Sequence, residues 1–169
     1  MADETAIGRL ATDVVAALTR ERLWVATAES CTGGWIGKAL TDIPGSSRCF
    51  GYGIVSYSFA AKRSLLGVRA ATLKDHGAVS EQTVREMALG VLELSGAAIT
   101  VAVSGIAGPD GGSADKPVGT VWFAWARKGD ERVQVDAERR RFEGGRADVR
   151  MQTVAHALAG ILARIPGDG

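Results

Sequence analysis

The chain has 169 residues, 46% of them hydrophobic, with 20 basic against 19 acidic side chains and a mean hydropathy near zero. That length supports one domain, 1–169, with a sizeable core, and the composition excludes a disordered chain and a membrane-embedded one. A formal charge of +1 leaves no global field to gather nucleic acid or an anionic membrane.

The local basic cluster Arg139–Arg141 has no interleaved aromatic residues and reads as a solvated strand end. Met1 to Thr5 is polar and leads into a helix, with neither a signal peptide nor a bilayer-spanning run, which predicts a cytoplasmic protein. Cys31 and Cys49 are too few for a disulfide framework. With no CxxC pair and only His76 and His156 beside them, no metal site is expected.

Ile7, Leu10, Val14 and Leu18 recur at helical spacing and predict an amphipathic first helix. Leu23 to Ala28 reads as a short buried strand, followed by a helix from Gly33 to about Leu40 that stops before Pro44 and Gly45. Phe50 to Tyr57 reads as a second strand, in which Gly51 and Gly53 point to a bulge or a close backbone approach. Ser58 to Leu66 is a short helix carrying Lys62 and closed by Gly67.

Ser80 caps a longer helix whose apolar stripe is Val84, Met87, Ala88, Val91 and Leu94, ending at Gly96. Ala98 to Ser104 is a strand buried on both faces. Gly119–Ala126 and Glu131–Phe142 alternate with period two around Lys128-Gly129-Asp130 and predict an antiparallel hairpin. The last helix begins near Arg146, with Val154, Leu158, Ile161 and Ile165 on one side and an exposed His156 on the other. Only Met1–Asp3 and Pro166–Gly169 are expected to fray. The order predicts an α/β fold, a mixed sheet of about five strands covered on both faces by helices.

Where the first strand gives way to the second helix stands Ala28-Glu29-Ser30-Cys31-Thr32-Gly33-Gly34. Such a turn sets a hydroxyl at the carboxyl edge of the sheet and lets a ligand approach the N–H groups of a helix start. It also fits an ordinary βα turn with a Ser or Thr cap. Ser104 to Gly112, too glycine-rich for a simple connection, leaves a neighbouring strand at the same edge, so the two loops are expected to share a crevice. Phosphate-loop motifs do not fit: Gly37-Lys38 is followed by Ala39, and no GxGxxG opens a helix after the first strand.

A serine nucleophile needs a base. His156 reads as exposed and His76 lies in the polar turn Asp75-His76-Gly77, so Lys62 is the remaining candidate, with Tyr57 as a relay. Each also has a plain reading: Lys62 as a surface lysine, Tyr57 as a strand-end tyrosine with a wet hydroxyl. Cys31 is a rival nucleophile, although small buried cysteines are usually inert.

Seven segments carry a resemblance over almost the whole chain: AESCTGG at Ala28–Gly34, TDIPGSS at Thr41–Ser47, VSYS…K from Val55 to Lys62, GAVSEQT at Gly77–Thr83, SGIAGPDGG at Ser104–Gly112, KPVGTV at Lys116–Val121 and FEGGRADVR at Phe142–Arg150. In this order they resemble the CinA C-terminal-domain family, in its stand-alone form. The resemblance implies a three-layer α/β/α domain, usually a homodimer. It also implies an amidohydrolase that converts nicotinamide mononucleotide to nicotinic acid mononucleotide and ammonia without metal or organic cofactor.

It implies Ser30 as the nucleophile, Tyr57 and Lys62 as relay and base, and Arg146 near the substrate phosphate with Ser104, Gly105 and the loop to Gly112. Backbone donors around Thr32, Gly33 and Gly34 are expected to hold the oxyanion. Phe59 and Gly145 depart from the family pattern, where an asparagine and an aspartate are usual. A non-catalytic module that binds pyridine nucleotides is the alternative reading.

Overall fold

The computed structural model describes residues 3–167. Helix α1 (Glu4–Arg20) is opened by Asp3, whose carboxylate accepts the Ala6 N–H at 2.7 Å, and it buries Ile7, Ala11, Val14 and Leu18. Strand β1 (Val25–Glu29) follows with every residue buried. Then come α2 (Trp35–Thr41), β2 (Phe50–Val55), α3 (Phe59–Leu66), α4 (Ala70–His76), α5 (Glu81–Ser95), β3 (Ile99–Gly105), β4 (Thr120–Lys128), β5 (Val133–Arg141) and α6 (Arg146–Leu162).

The sheet has the order β2-β1-β3-β4-β5. β1 is parallel to both β2 and β3, and β4 and β5 are antiparallel to their neighbours. This is a three-layer α/β/α fold around a mixed five-stranded sheet, as the order of elements predicts. Among the described residues no helix is long and apolar enough to cross a membrane.

Successive side chains of a strand point to opposite faces, and here the two faces differ in bulk. Val25, Val101, Val103, Phe123 and Trp125 pack with residues of α1, α2 and α6. Ala26, Ala28, Ala102, Ala124 and Ala126 form a row of small side chains that packs with residues of α3, α4 and α5. The small row lets α5 sit low, and α5 in turn meets α3 almost backbone to backbone. A Cβ on Gly90 would stand 1.9 Å from the Leu66 carbonyl oxygen.

At the β1–β2 junction the register slips by one residue: Val25 faces Phe50 while Ala26 faces Tyr52. Gly51 is the extra residue of a β-bulge, and a Cβ there would stand 3.3 Å from the Trp24 ring. The close approach expected of Gly51 and Gly53 is present at both, since a Cβ on Gly53 would stand 3.1 Å from the Phe50 ring.

Several sequence expectations change. α2 starts at Trp35 rather than Gly33, because Gly33 and Gly34 take φ values of +61° and +96° in a left-handed turn. Leu94 is half exposed and Leu92 takes its place in the buried stripe. Residues 70–76, with no apolar stripe to announce them, form α4, so His76 ends a helix rather than sitting in a turn. Glu86 of α5 holds that helix by accepting from the Arg69 backbone N–H and the Thr72 hydroxyl at 2.9 and 2.7 Å.

His156 is not an exposed histidine. α6 lies across the sheet so that the ring packs edge-on against Phe123, Trp125 and Phe142, and its Nε2 pairs with Glu138 on β5. Asp3 is the α1 cap rather than a frayed residue. The expected fraying of Met1, Ala2, Asp168 and Gly169 falls outside the described residues.

Gly90→Ala tests the α3–α5 approach. Alanine gains about 1 kcal/mol of helix propensity over glycine, but a methyl forced against a backbone carbonyl costs about 1–3 kcal/mol in such overpacking, and more where neither side can give. The expected result is a net loss of stability, read as a melting temperature lowered by several degrees. An unchanged or raised value contradicts the packing described.

Candidate active site

Because β1 alternates, Glu29 and Ser30 point to opposite faces of the sheet at its carboxyl edge. The backbone there continues the ladder on both sides: Ser30 N–H donates to the Val103 carbonyl at 3.1 Å and Ser56 N–H to the Glu29 carbonyl at 2.8 Å. Ser30 is thus fixed at the point where the chain leaves the sheet. Its side chain is on the face of the alanine row, toward α3.

Ser58 caps α3 by accepting the Ala61 N–H at 3.1 Å, which sets Lys62 in the first turn of the helix and aims it at the sheet. Lys62 is completely buried. Its Nζ lies 2.9 Å from Ser30 Oγ and donates to the Ser56 carbonyl at 2.6 Å. Burial disfavours the ammonium and lowers its pKa to about 8. The start of a helix is also an unfavourable place for a cation.

Cys31 is buried beside Ser30, and burial pushes its thiol up to about 12. It stays protonated and is a poor nucleophile. Neither histidine is hydrogen-bonded to Ser30: His156 pairs with Glu138, and the His76 carbonyl accepts from Lys116.

Ser30 and Lys62 line a pocket of about 190 Å³ together with Val79, Ser104, Gly105 and Arg146. The loops after β1 and β3 therefore share one crevice, as their positions at the sheet edge imply. Arg146, the first residue of α6, donates from Nη1 to the Gly108 carbonyl at 2.8 Å and from Nη2 to the Tyr57 hydroxyl at 3.2 Å. Tyr57 is largely exposed and its hydroxyl is engaged with Arg146 rather than with Lys62 or Ser30. It lines the same pocket, and because it accepts from Arg146 its own O–H remains available to donate.

Thr32, Gly33 and Gly34 are placed differently from the expectation. Gly33 N–H donates to the Ser30 carbonyl at 3.0 Å, and Gly34 N–H to the Glu29 carboxylate at 3.0 Å. The Thr32 hydroxyl also donates to Glu29, at 2.6 Å. All three residues line a separate hollow of about 440 Å³ with Trp35 and Arg150. The donors expected to meet an oxyanion at Gly33 and Gly34 are committed inside the protein.

Two residues at this edge escaped the sequence reading. Glu29, buried, takes the N-terminal donors of α2. Arg150, one turn beyond Arg146 on α6, donates to the carbonyls of Cys31 and Thr32 at 3.0 and 2.9 Å and lies over the Trp35 ring. The i, i+4 spacing of the two arginines was the available signal: it puts both on one face of α6.

The family model of the CinA C-terminal domain matches residues 8–165. The chain is 56% identical over 155 residues to the nicotinamide-nucleotide amidohydrolase PncC of Enterobacter agglomerans, covering 92% of this chain and 93% of that protein. It is 52% identical to the protein of the same name from Escherichia coli K12, with 89% of each covered. Among solved structures, the competence damage-inducible protein A of Klebsiella pneumoniae matches with a TM-score of 0.88 at 42% identity, over 94% of this chain and 96% of that one. The competence/damage inducible protein of Agrobacterium tumefaciens matches with a TM-score of 0.87 at 46% identity, over 94% of both chains. With a shared fold, a match over nearly its whole length and relatives above half identity, the chain belongs to the CinA C-terminal domain family.

Proposed function

We propose that this chain is a nicotinamide-nucleotide amidohydrolase that converts nicotinamide mononucleotide to nicotinic acid mononucleotide and ammonia, with Ser30 as nucleophile and Lys62 as base. The observation that carries the reading is the contact of 2.9 Å between the buried Lys62 amine and Ser30 Oγ. The relatives at 52–56% identity, named nicotinamide-nucleotide amidohydrolases, support the substrate class.

With a pKa of about 8, about a tenth of Lys62 is neutral at pH 7. In that form the amine keeps N–H donors for the Ser56 carbonyl and has one lone pair to accept the Ser30 proton. The serine oxygen attacks the carboxamide carbon as the proton passes to Nζ. The ammonium then returns a proton to the departing nitrogen, ammonia leaves, and water attacks the acyl-enzyme with Lys62 again as base.

With Gly33 and Gly34 committed elsewhere, the Tyr57 O–H and the Ser104 hydroxyl, both at the pocket, are the candidate donors to the developing oxyanion. Arg146 uses two of its five N–H donors on Gly108 and Tyr57, and the others are open to the ribose phosphate at the mouth. On this reading the enzyme works in the cytoplasm as a homodimer. The edge of β2 supports that state, since residues 50–61 carry no charge and Tyr52 and Val55 are exposed there.

A coupled ammonia assay tests the assignment. Ser30→Ala and Lys62→Ala are each expected to lower kcat by about a thousandfold or more while retaining a cooperative melt. Binding of nicotinamide mononucleotide without ammonia release by the unaltered chain makes it a binding module instead.

The pH profile of kcat/KM follows from the sign of the shift. The neutral amine is the working form, so the rate is expected to climb about tenfold per pH unit below pH 8 and level off above it. A flat profile between pH 6 and 9 contradicts a lysine base. Arg146→Ala removes a charged contact of about 1.5–3 kcal/mol, which corresponds to a KM for the mononucleotide raised roughly 10- to 100-fold.

A further inference from the structure

Resting on Ser30 as the nucleophile, we propose that Glu29 is its positioning residue: a buried carboxylate that locks the turn carrying the serine by gathering the donors of α2 on the opposite face of the sheet. Glu29 is almost completely buried. Oε2 accepts from the Thr32 hydroxyl at 2.6 Å and from the Gly34 and Ile36 N–H groups, each at 3.0 Å. Oε1 accepts from Gly37 N–H at 2.9 Å and from the Thr27 hydroxyl at 3.2 Å.

A carboxylate offers about four lone-pair sites, so this set of donors saturates it. Burying an ion is costly, and capping α2 does not demand it. One neutral acceptor at the N-cap, taking one of the orphan N–H groups, is the usual device at a helix start, and here the N-cap is Gly34, which has no side chain to offer. The chain instead sends a charge from inside β1 across five to eight residues of sequence.

The effect is specific to the neighbouring residue. Glu29 ties itself to positions on both sides of the turn, so Ser30 lies between the sheet ladder on one side and the saturated carboxylate on the other. Arg150 closes the loop from α6 by holding the Cys31 and Thr32 carbonyls. The Ser30 backbone is thus held from both sides, with its Oγ 2.9 Å from the Lys62 amine. That matters because a displacement of about 1 Å in a reacting group can cost on the order of a hundredfold in rate.

The test is Glu29→Gln, which keeps the shape but sets an amide NH₂ against N–H donors. Three readouts are compared at a temperature where the variant is fully folded. Turnover is measured by ammonia release, Ser30 reactivity by its labelling rate with phenylmethylsulfonyl fluoride, and stability by the thermal melt. The expected result is a kcat lowered by about 10- to 100-fold, a KM within about twofold, a labelling rate lowered in parallel with kcat, and an acid limb of the pH profile that stays where it is in the parent protein. Thr32→Val, which removes only the 2.6 Å bond, is expected to give the same pattern at a few-fold size and covers the case in which Glu29→Gln does not fold.

A lower melting temperature with unchanged kcat and labelling rate shows that Glu29 serves stability alone and overturns the proposal. A displaced acid limb overturns it as well, since Glu29 then acts through the charge of Lys62 rather than through geometry. If Ser30→Ala of the otherwise unaltered chain retains turnover, the nucleophile assignment itself fails, whatever the Glu29 variants do.

Discussion

The site depends on an amine held out of water. Lys62 in solvent would be an ammonium at neutral pH, unable to take a proton from serine. Complete burial makes the charged form expensive and brings the neutral form within reach. The Ser56 carbonyl orients it without neutralising it, since a carbonyl accepts an N–H from either protonation state. Among the described residues no carboxylate lines the pocket with Lys62. The nearest in sequence to Ser30, Glu29, is turned to the other face of β1, so it does not restore the pKa that burial has lowered. Strand alternation thus separates the two charges that would otherwise cancel.

The asymmetry of the sheet serves the same end. Alanines on one face bring α5 close, and α5 meets the end of α3 where Gly90 permits contact with the Leu66 backbone. The helix carrying Lys62 is therefore backed by a rigid neighbour rather than by solvent. On the other face larger side chains keep α6 further out, at a height from which Arg146 reaches over the sheet edge to Gly108 and Tyr57. Lys62 and Arg146 come from opposite layers and meet at one pocket.

Much of this was legible in the chain. Period-two and helical spacings located the strands and the long helices, because tertiary packing there agrees with local pattern. The loops bearing Ser30 and Ser104 were placed in one crevice from the rule that loops leave the carboxyl ends of parallel strands on the same side, whereas Lys62 was reached as the remaining base and Arg146 through the family resemblance. Less legible was what depends on long-range pairing. Helix α4 has little propensity pattern of its own and is held by Glu86. His156 looked solvent-facing on its helix, yet the far strand of the hairpin covers that side. The N–H groups of Gly33 and Gly34 looked open to a ligand because nothing in a linear reading shows that the Ser30 carbonyl takes the first and Glu29 turns back to take the second. Tyr57 is five residues from Lys62 in sequence, but Ser58 opens a new helix between them, and the phenol is left to the arginine.

The bulge at Gly51 has a reach beyond its own strand. One residue looped out near the start of β2 advances everything after it by one step against β1. Consequently it is Ser56, and not Val55, that follows Glu29 in the ladder and offers its carbonyl to the buried amine. Remove that one-residue offset and each later side chain of the strand trades inside for outside. The carbonyl that accepts from the buried amine is thereby set by a one-residue offset at the opposite end of the strand, several residues upstream of the pocket.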